Sequence, residues 1–424
     1  MSRPAVGTAA FHRRDGALFC EDIPLAAVAE RFGTPTYVYS RRAIVDAFGA
    51  YAAALAGRRA LVCYAMKANS NLAVLDLLAR VGAGFDIVSG GELARALAAG
   101  GDPRKIVFSG VGKTEDEIRA ALRAGIRCFN LESAPELDRI QQVAAALGMQ
   151  APVSVRTNPD VDPKTHPYIT TGLRQNKFGV AYAQTLALYR QAARLPNIRI
   201  VGIDCHIGSQ ITEVAPYVDA AAKLLDLVDA LSREGIALEH IDFGGGLGIA
   251  YRDETPPAPG ALIAAILAQV DARGHGDKEI VFEPGRSLVG AAGALLTRVN
   301  IVKAGTEKNF AIVDAAMNDL LRPALYDAWM QVQPVQAGTG ATQRYDIVGP
   351  VCESGDWLAR DRDLALAAGD LLAVLGAGAY GMSMASNYNT RGRPAEVMID
   401  GDRIYEVRRR ESVEALFAGE STLP

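Results

Sequence analysis

Two patterns of apolar and polar residues alternate along the chain from Thr36 to about Pro284. Short apolar runs rich in Val, Ile and Phe are typical of buried strands, and Ala- and Leu-rich stretches between them carry charges at helical spacing. In Glu117–Ala124, for example, three apolar residues share one helix face, and Gly125 then gives a stop signal. The alternation predicts an α/β unit in this part of the chain.

Eight apolar runs qualify as buried strands after an introductory strand at Thr36–Tyr39. They are Leu61–Ala65, Phe85–Val88, Ile106–Phe108, Ile126–Phe129, Val153–Arg156, Ile200–Cys205, His240–Phe243 and Ile280–Glu283. Eight β/α units are what a closed (β/α)8 TIM-type barrel requires, whereas an open doubly wound sheet also alternates strands and helices. The residues that follow the strands favour the barrel.

Nearly every predicted strand leads into a polar or charged side chain. The residues at these exits are Lys67, Ser89, Ser109, Asn130, Arg156, His206, Gly244–Gly246 and Glu283. In a barrel, the loops that leave the carboxyl ends of the strands meet at one face and carry the chemistry. A complete ring of such exits therefore predicts a shared site.

The pattern changes after Glu283. Tyr345–Val348, Leu371–Leu375 and Glu396–Val407 alternate like strands, and Asp400-Gly401 suits a hairpin turn. We therefore predict a barrel over residues 36–284 and a C-terminal β-sandwich or barrel-like domain over residues 285–424. The N-terminal segment 1–35 is expected to join the second domain.

Composition excludes several classes of protein. The 424 residues carry a formal charge of −4, with 44 basic and 48 acidic residues and no basic block, which argues against nucleic-acid binding. No apolar run approaches the roughly 20 residues that span a bilayer, and the N-terminus lacks a signal-peptide pattern. The five cysteines are scattered without metal-ligand spacing, so we expect no metal site and a reducing cytoplasm.

Lys67 and the glycine run are the first candidates for chemistry. Lys67 follows an apolar strand and is flanked by Met66 and Ala68, which suggests partial desolvation and a reactive amine, although most lysines are solvated surface charges. Gly244–Gly246 follows the seventh strand, where barrels of this kind hold phosphate. The same triplet is also compatible with a simple tight turn.

Three further candidates have structural alternatives. His206 suits a ring lying flat over an aromatic cofactor, or a satisfied core residue. Glu283, before Pro284-Gly285-Arg286, suits a carboxylate that keeps a pyridine nitrogen protonated, or a salt bridge to Arg286. Cys352 suits a small buried hydrophobe, but the polar residues after it favour an exposed loop from which the thiol donates a proton.

Taken together, the motifs resemble the pyridoxal-phosphate-dependent decarboxylases of the alanine-racemase-like barrel fold. The resemblance covers Tyr37 to Tyr388. It is carried by Tyr64-Ala-Met-Lys-Ala-Asn69, His206-Ile-Gly-Ser-Gln210, Gly244-Gly-Gly246 and Glu283-Pro-Gly-Arg286, in the order found in the family. Cys352-Glu-Ser-Gly-Asp356 and Arg322-Pro-Ala-Leu-Tyr326 resemble the branch that decarboxylates meso-2,6-diaminopimelate to L-lysine and CO2, the last step of lysine biosynthesis.

The resemblance implies a pyridoxal 5'-phosphate cofactor and a role for each motif residue. Lys67 would bind the cofactor covalently, with His206 on its ring, Glu283 at its ring nitrogen and Asp86 in support. Phosphate would be held by Ser209, Gly245, Gly246, Tyr380 and the backbone of Glu283, Pro284, Gly285 and Arg286. Arg286, Arg322, Tyr326 and Tyr380 would bind substrate, with Glu353 at the distal ammonium and Cys352 as proton donor. The family also implies a homodimer in which Cys352 and Glu353 come from the partner chain.

Three other functions stay open at this point. A decarboxylase of ornithine, arginine or carboxynorspermidine would share the mechanism, but the segments around Arg322 and Glu353 argue against it. A non-catalytic carrier of the cofactor would be a bare barrel. A metabolic barrel without the cofactor would leave the coincidence of Lys67, His206, the glycine triplet and Glu283 unexplained.

Overall fold

The computed structural model describes residues 10–162, 176–338 and 340–424. The chain forms two compact units. The barrel unit comprises Ala47–Ile249 and Thr255–Ser287, and the sheet unit comprises residues 10–46, Ala250–Glu254 and Leu288–Pro424. These bounds differ from the predicted domains chiefly at the N-terminus, because Thr36–Ser40 pairs with strands of the sheet unit.

The strands in chain order are β1 (Phe11–Arg14), β2 (Ala17–Cys20), β3 (Ile23–Pro24), β4 (Thr36–Ser40), β5 (Ala60–Ala65), β6 (Gly84–Ile87), β7 (Ile106–Phe108), β8 (Cys128–Leu131), β9 (Ala151–Asn158), β10 (Val180–Ala181), β11 (Ile198–Asp204), β12 (His240–Asp242), β13 (Glu279–Phe282), β14 (Gly293–Lys303), β15 (Asn309–Val313), β16 (Val332–Pro334), β17 (Gln343–Val348), β18 (Trp357–Leu364), β19 (Leu371–Leu375), β20 (Ala395–Asp400) and β21 (Arg403–Arg408). The α-helices are α1 (Leu25–Phe32), α2 (Arg41–Ala54), α3 (Leu72–Arg80), α4 (Gly90–Ala98), α5 (Glu115–Ala124), α6 (Ala134–Leu147), α7 (Tyr182–Ala192), α8 (Ala215–Arg233), α9 (Pro259–Ala272), α10 (Arg286–Val289), α11 (Arg322–Tyr326) and α12 (Val413–Leu416).

A closed parallel barrel forms the centre of the first unit. Its strands run in the order β5–β6–β7–β8–β9–β11–β12–β13, and β13 pairs back onto β5 to close the ring. All eight predicted strands are present, so the predicted barrel is confirmed and the open-sheet alternative is wrong. An apolar cluster drawn from several strands packs together, and its members are Leu61, Cys63, Val107, Cys128, Val201 and Val281.

Local sequence signals explain where the barrel helices begin and end. Helix α5 begins at a capping box, in which the Thr114 side chain accepts from the N–H of Glu117 and the Glu117 carboxylate accepts from the N–H of Thr114. It ends at Gly125, which adopts the left-handed conformation that glycine favours (φ 72°). The predicted helix and its stop signal are therefore confirmed.

The next strand begins two residues later than the sequence predicted. Ile126 was expected to open this strand, but its N–H donates to the carbonyl of Ala121 and completes the C-terminal cap of α5. Cys128 is consequently the first residue of β8. An apolar residue that packs beside a helix cap has the same sequence signature as the first residue of a buried strand.

The second unit contains an extended sheet with strand order β18-β17-β15-β14-β4-β20-β21. β19 pairs with both β14 and β16, and β1, β2 and β3 form a small antiparallel sheet. The predicted hairpin is present, since β20 and β21 pair antiparallel with Asp400 opposite Arg403 and with Gly401 at positive φ (61°). The backbone N–H of Leu18 donates to the carbonyl of Val335, which ties the N-terminal segment into this unit.

Within the described ranges, no helix has both the length and the apolar character needed to cross a bilayer. The five cysteines are all free thiols, and Cys352 is exposed while the other four are buried. The expectation of an exposed loop around Cys352 therefore agrees with the structure.

Candidate active site

Lys67 lies in a short 3-10 turn, Met66–Ala68, directly after β5. Its Nζ donates to Oδ2 of Asp86 at 2.9 Å, and this carboxylate lies at the end of the adjacent strand β6. The Asp86 side chain is 1% exposed and that of Lys67 is 38% exposed. The amine is thus partly buried, as its apolar neighbours predicted, and in addition it has a carboxylate partner.

The turn after β13 packs against the turn that carries Lys67. The backbone N–H of Ala65 donates to the carbonyl of Pro284 at 3.1 Å. Gly285 faces Ala65 so closely that a Cβ on Gly285 would lie 3.1 Å from that of Ala65. The first and last strands of the barrel therefore bring Lys67 and the Glu283–Arg286 segment together, as the ring of strand exits predicted.

His206 follows β11 and is linked to the glycine run. Its Nδ1 accepts a hydrogen bond from the backbone N–H of Gly245 at 3.2 Å. Burial, together with the positive charges of Arg156 and Lys67, holds the pKa of His206 well below its ordinary value. The imidazole is consequently neutral at physiological pH and presents an uncharged ring.

The glycine run is packed backbone to backbone against its neighbours. A Cβ on Gly245 would lie 1.9 Å from the carbonyl oxygen of Glu283, and one on Gly246 would lie 2.2 Å from that of Gly208. Gly246 also has a positive φ (106°). These contacts leave no room for side chains, so the triplet is required by close packing as well as by its turn.

Ser209 and Arg286 lie next to this backbone. Arg286 Nη2 donates to Ser209 Oγ at 3.0 Å. Ser209 comes from the loop after β11 and Arg286 from the start of α10, so a hydroxyl and a guanidinium are joined beside the glycine run. Hydroxyl, guanidinium and glycine backbone N–H groups are the donors that phosphate sites in proteins use.

Glu283 is buried at the end of β13, with 5% of its surface exposed. Asn130 Nδ2 donates to its Oε1 at 3.3 Å. Burial raises the pKa of Glu283 well above its ordinary value, and the charges of Asp242, Asp86 and Asp204 raise it further while Lys67 opposes them. Such a carboxyl gains most from a nearby positive charge, for example a protonated ring nitrogen.

Two residues of this site were not predicted as functional, Asp204 and Asp242. Both are completely buried at the carboxyl ends of β11 and β12. Together with Glu283 they bring three carboxyl groups within 4.8 Å of one another. The only sequence signal was an aspartate near the end of each of two strands predicted to be buried.

The remaining predicted site residues belong to the sheet unit. Arg322 opens α11, is 6% exposed and places its guanidinium 4.5 Å from the centroid of the Tyr251 ring. Tyr326 ends the same helix, half-buried, and Tyr380 is held at positive φ (56°). The arginine is therefore fixed by a cation–π contact within its own unit.

Cys352 and Glu353 lie in an exposed loop whose backbone is held by the buried side chain of Asp356. The Asp356 side chain accepts from the backbone N–H of Val351 and from that of Met317, both at 2.7 Å, and is 4% exposed. The backbone N–H of Cys352 donates to Asn389 Oδ1 at 3.2 Å. The thiol and carboxylate are thus presented to solvent on a loop with a fixed base.

The chain is similar to known proteins over almost all of its length. Residues 41–290 match the family model described as pyridoxal-dependent decarboxylase, pyridoxal binding domain. Diaminopimelate decarboxylase of Pseudomonas aeruginosa is 62% identical over 98% of this chain and 99% of that protein, and the one of Vibrio cholerae is 56% identical over 97% and 99%.

Solved structures give the same result. Diaminopimelate decarboxylase from Helicobacter pylori, complexed with L-lysine, superposes with a TM-score of 0.90 at 42% identity, over 93% of this chain and 99% of that one. The enzyme from M. jannaschii, in co-complex with L-lysine, gives a TM-score of 0.93 at 39% identity over 98% of both chains.

Proposed function

Since the chain belongs to the diaminopimelate decarboxylases of the pyridoxal-dependent decarboxylase family, we propose that the barrel-end residues described above hold pyridoxal 5'-phosphate. The enzyme is a carboxy-lyase that converts meso-2,6-diaminopimelate to L-lysine and CO2, the last step of lysine biosynthesis. The observation that carries the proposal is the convergence of the Lys67–Asp86 pair and the buried Glu283 at adjoining strand ends of one barrel.

The residues present fit the cofactor at each of its functional groups. Lys67 supplies the amine for its aldehyde, and Asp86 orients that amine. Gly245 and Gly246, whose α-carbons pack against the carbonyl groups of Glu283 and Gly208, are proposed to bind the phosphate through their backbone. Ser209, Arg286, the backbone from Glu283 through Pro284 and Gly285, and Tyr380 are proposed as the other contributors to phosphate binding.

Two side chains are assigned to the ring. The neutral His206 would lie against its face, and an ionised Glu283 at its nitrogen would favour the protonated ring. When bound, the cofactor withdraws the electrons that remain on the substrate α-carbon as CO2 leaves. The protein's task is to hold these charges in place and to return a proton.

The sheet unit is proposed to supply substrate recognition. A diaminopimelate molecule carries a second amino-acid end, which needs a cation for its carboxylate and an anion for its ammonium. We assign Arg322, with Arg286, Tyr326 and Tyr380, to carboxylate binding, and Glu353 to the distal ammonium. Cys352, an exposed thiol, is assigned as the donor that protonates the α-carbon.

The assigned substrate can be tested by offering purified protein with pyridoxal phosphate three amino acids in parallel. We expect CO2 release from meso-diaminopimelate, with lysine formed, and at least about 100-fold slower release from ornithine or arginine, because those substrates lack the distal carboxylate that would pair with the buried Arg322. Comparable release from ornithine would contradict the role of Arg322. Cofactor binding without release from any of the three would instead favour a carrier.

We further propose a homodimer with shared sites, in which the exposed loop of Cys352 and Glu353 serves the barrel of the partner subunit. Mixing inactive Lys67→Ala and Cys352→Ala chains under exchange conditions should restore about a quarter of wild-type turnover, because half of the dimers are mixed and each has one intact site. Turnover of the separate and mixed proteins measures this.

Each variant alone, taken through the same exchange procedure, is the control. Native mass spectrometry shows whether mixed dimers have formed. Mixed dimers without recovered turnover would place Lys67 and Cys352 of the same chain in one site.

The free thiols at all five cysteines also fit a reducing compartment, and we propose the cytoplasm.

A further inference from the structure

Asp204, Asp242 and Glu283 form a buried carboxyl cluster at the ends of three adjacent strands. Their carboxylate oxygens lie within 4.8 Å of one another, and both aspartates are fully buried. Like charges this close repel strongly when they are buried, so three ionised carboxylates would be very costly. The cluster must contain protons or a compensating positive charge.

The neighbouring cations already have carboxylate partners outside the cluster. Lys67 pairs with Asp86 at 2.9 Å, and Arg156 pairs with Glu132 at 2.9 Å. Each pair is approximately neutral, so neither supplies a full positive charge to the three carboxyls. Protons are therefore the simplest means of neutralising them.

Asp242 is oriented in a way that indicates where one proton lies. Its Oδ1 accepts the backbone N–H of Gly244 at 2.8 Å, and one of its carboxylate oxygens lies within 4.8 Å of one from Glu283. Among the described residues, no N–H or hydroxyl donor reaches Asp242 Oδ2. Two carboxyl groups in contact form a hydrogen bond only if one of them is protonated.

We propose that Asp242 and Glu283 share one proton, and that Asp242 keeps it when the protonated ring nitrogen of the cofactor faces Glu283. Asp242 is then a positioning residue that donates a hydrogen bond from Oδ2 to the Glu283 carboxylate. This inference deepens the proposed function and rests on it. It gives Asp242, two residues before Gly244, a role that the glycine run alone does not explain.

The electrostatic surroundings of the pair agree with a shared proton, since burial and the charge of Asp242 raise the pKa of Glu283 well above its ordinary value. Burial raises the pKa of Asp242 to about 7, with Asp86 raising it and the Gly244 N–H, Glu283 and Arg127 lowering it. The other titratable groups near the cluster are Cys63, Lys67, Cys128, Glu132, Arg156 and Cys205. Asp204 is buried with its own pKa raised well above the ordinary value, first by burial and then by Asp242, so it adds no full negative charge to the pair.

The test compares Asp242→Asn with Asp242→Ala. Asparagine is an uncharged isostere that can accept from Gly244 and donate to Glu283, as protonated aspartic acid does, whereas alanine can do neither. We expect the Asn variant to bind pyridoxal phosphate within about threefold of wild type and to keep the pH midpoint of the bound-cofactor absorbance. The Ala variant should bind about tenfold or more weakly and shift that midpoint. Asp277→Asn, at an exposed aspartate in the same unit, is the matched control.

Thermal unfolding of the cofactor-free proteins gives a second readout that does not involve turnover. Because the pKa of Asp242 is higher in the folded protein than in the unfolded chain, its protonation stabilises the folded protein. This stabilisation is lost as the pH rises from about 4 to about 7. The thermal unfolding midpoint of Asp242→Asn minus that of the wild type should therefore increase across this pH window and remain at its higher value at pH 8. Because the Asn variant is expected to fold well, the test does not depend on the Ala variant.

Three outcomes would overturn the proposal. Loss of cofactor affinity in Asp242→Asn equal to that in Asp242→Ala would mean that Asp242 acts as an anion. Wild-type behaviour of Asp242→Ala would remove any role for the side chain. One divalent cation per chain in the purified wild type, absent from the Asn variant, would mean that a metal ion and not a proton neutralises the cluster. Failure of the wild type to bind pyridoxal phosphate would instead refute the proposed function itself.

Discussion

The Lys67→Ala variant should lose turnover by at least about 1,000-fold while remaining folded, because no other group in the site replaces the amine that binds the cofactor. The loss of the lysine should also remove the visible absorbance of the cofactor–lysine bond. Removing the ammonium leaves the buried Asp86 without its ion-pair partner, so a modest decrease in stability is expected as well.

Borohydride reduction followed by peptide mass spectrometry identifies directly the lysine that binds the cofactor. In the wild type, the reduced cofactor should remain attached to the peptide that contains Lys67, and Lys67→Ala should carry no label. Lys105→Ala is the matched control, since Lys105 is partly exposed in the same unit and its Nζ donates to the carbonyl of Gly82. A label on another lysine would contradict the assignment.

The Cys352→Ala variant should keep cofactor absorbance and affinity and lose kcat by about 100-fold or more, which is the range found when a positioned proton donor is removed. KM for diaminopimelate should change little, because the thiol acts on the α-carbon and not on the distal end of the substrate. Steady-state kinetics with parallel absorbance spectra separate these effects.

Ser354→Ala is the control for this prediction because it alters an exposed hydroxyl in the same loop. Its kcat should equal that of the wild type. Both variants leave Asp356 and its two backbone hydrogen bonds in place, so the base of the loop is unchanged. A wild-type kcat in Cys352→Ala would eliminate the thiol as the proton donor.

Hydrophobic periodicity predicted the eight strands, and the polar residues that follow them favoured a closed barrel over an open sheet. Every predicted strand exists because both faces of a barrel strand are covered, which leaves a continuous apolar run in the sequence. Boundaries were less accurate where an apolar residue packs beside a helix cap, as Ile126 does. A pattern of burial does not reveal which backbone partner a residue has.

The site was only partly predictable for a different reason. Lys67, His206 and Glu283 each follow a strand, so the rule that barrel loops carry the chemistry was enough to select them. Asp204 and Asp242 lie inside strands, and the sequence does not show that their carboxyl groups meet Glu283 across two strand pairings. The spatial relation between them exists only once the barrel has closed.

The backbone contact between Gly245 and Glu283 has a consequence for the range of molecules that the barrel accepts. The N–H of Glu283 donates to the carbonyl of Gly244 at 2.6 Å, and the α-carbon of Gly245 lies against the Glu283 carbonyl. The proposed phosphate loop and the carboxylate assigned to the ring nitrogen are therefore joined through main-chain atoms, and side-chain changes elsewhere alter their separation little. If the site binds pyridoxal phosphate as proposed, this fixed separation should select cofactors of matching length, and longer or shorter analogues should be rejected even when their charges match.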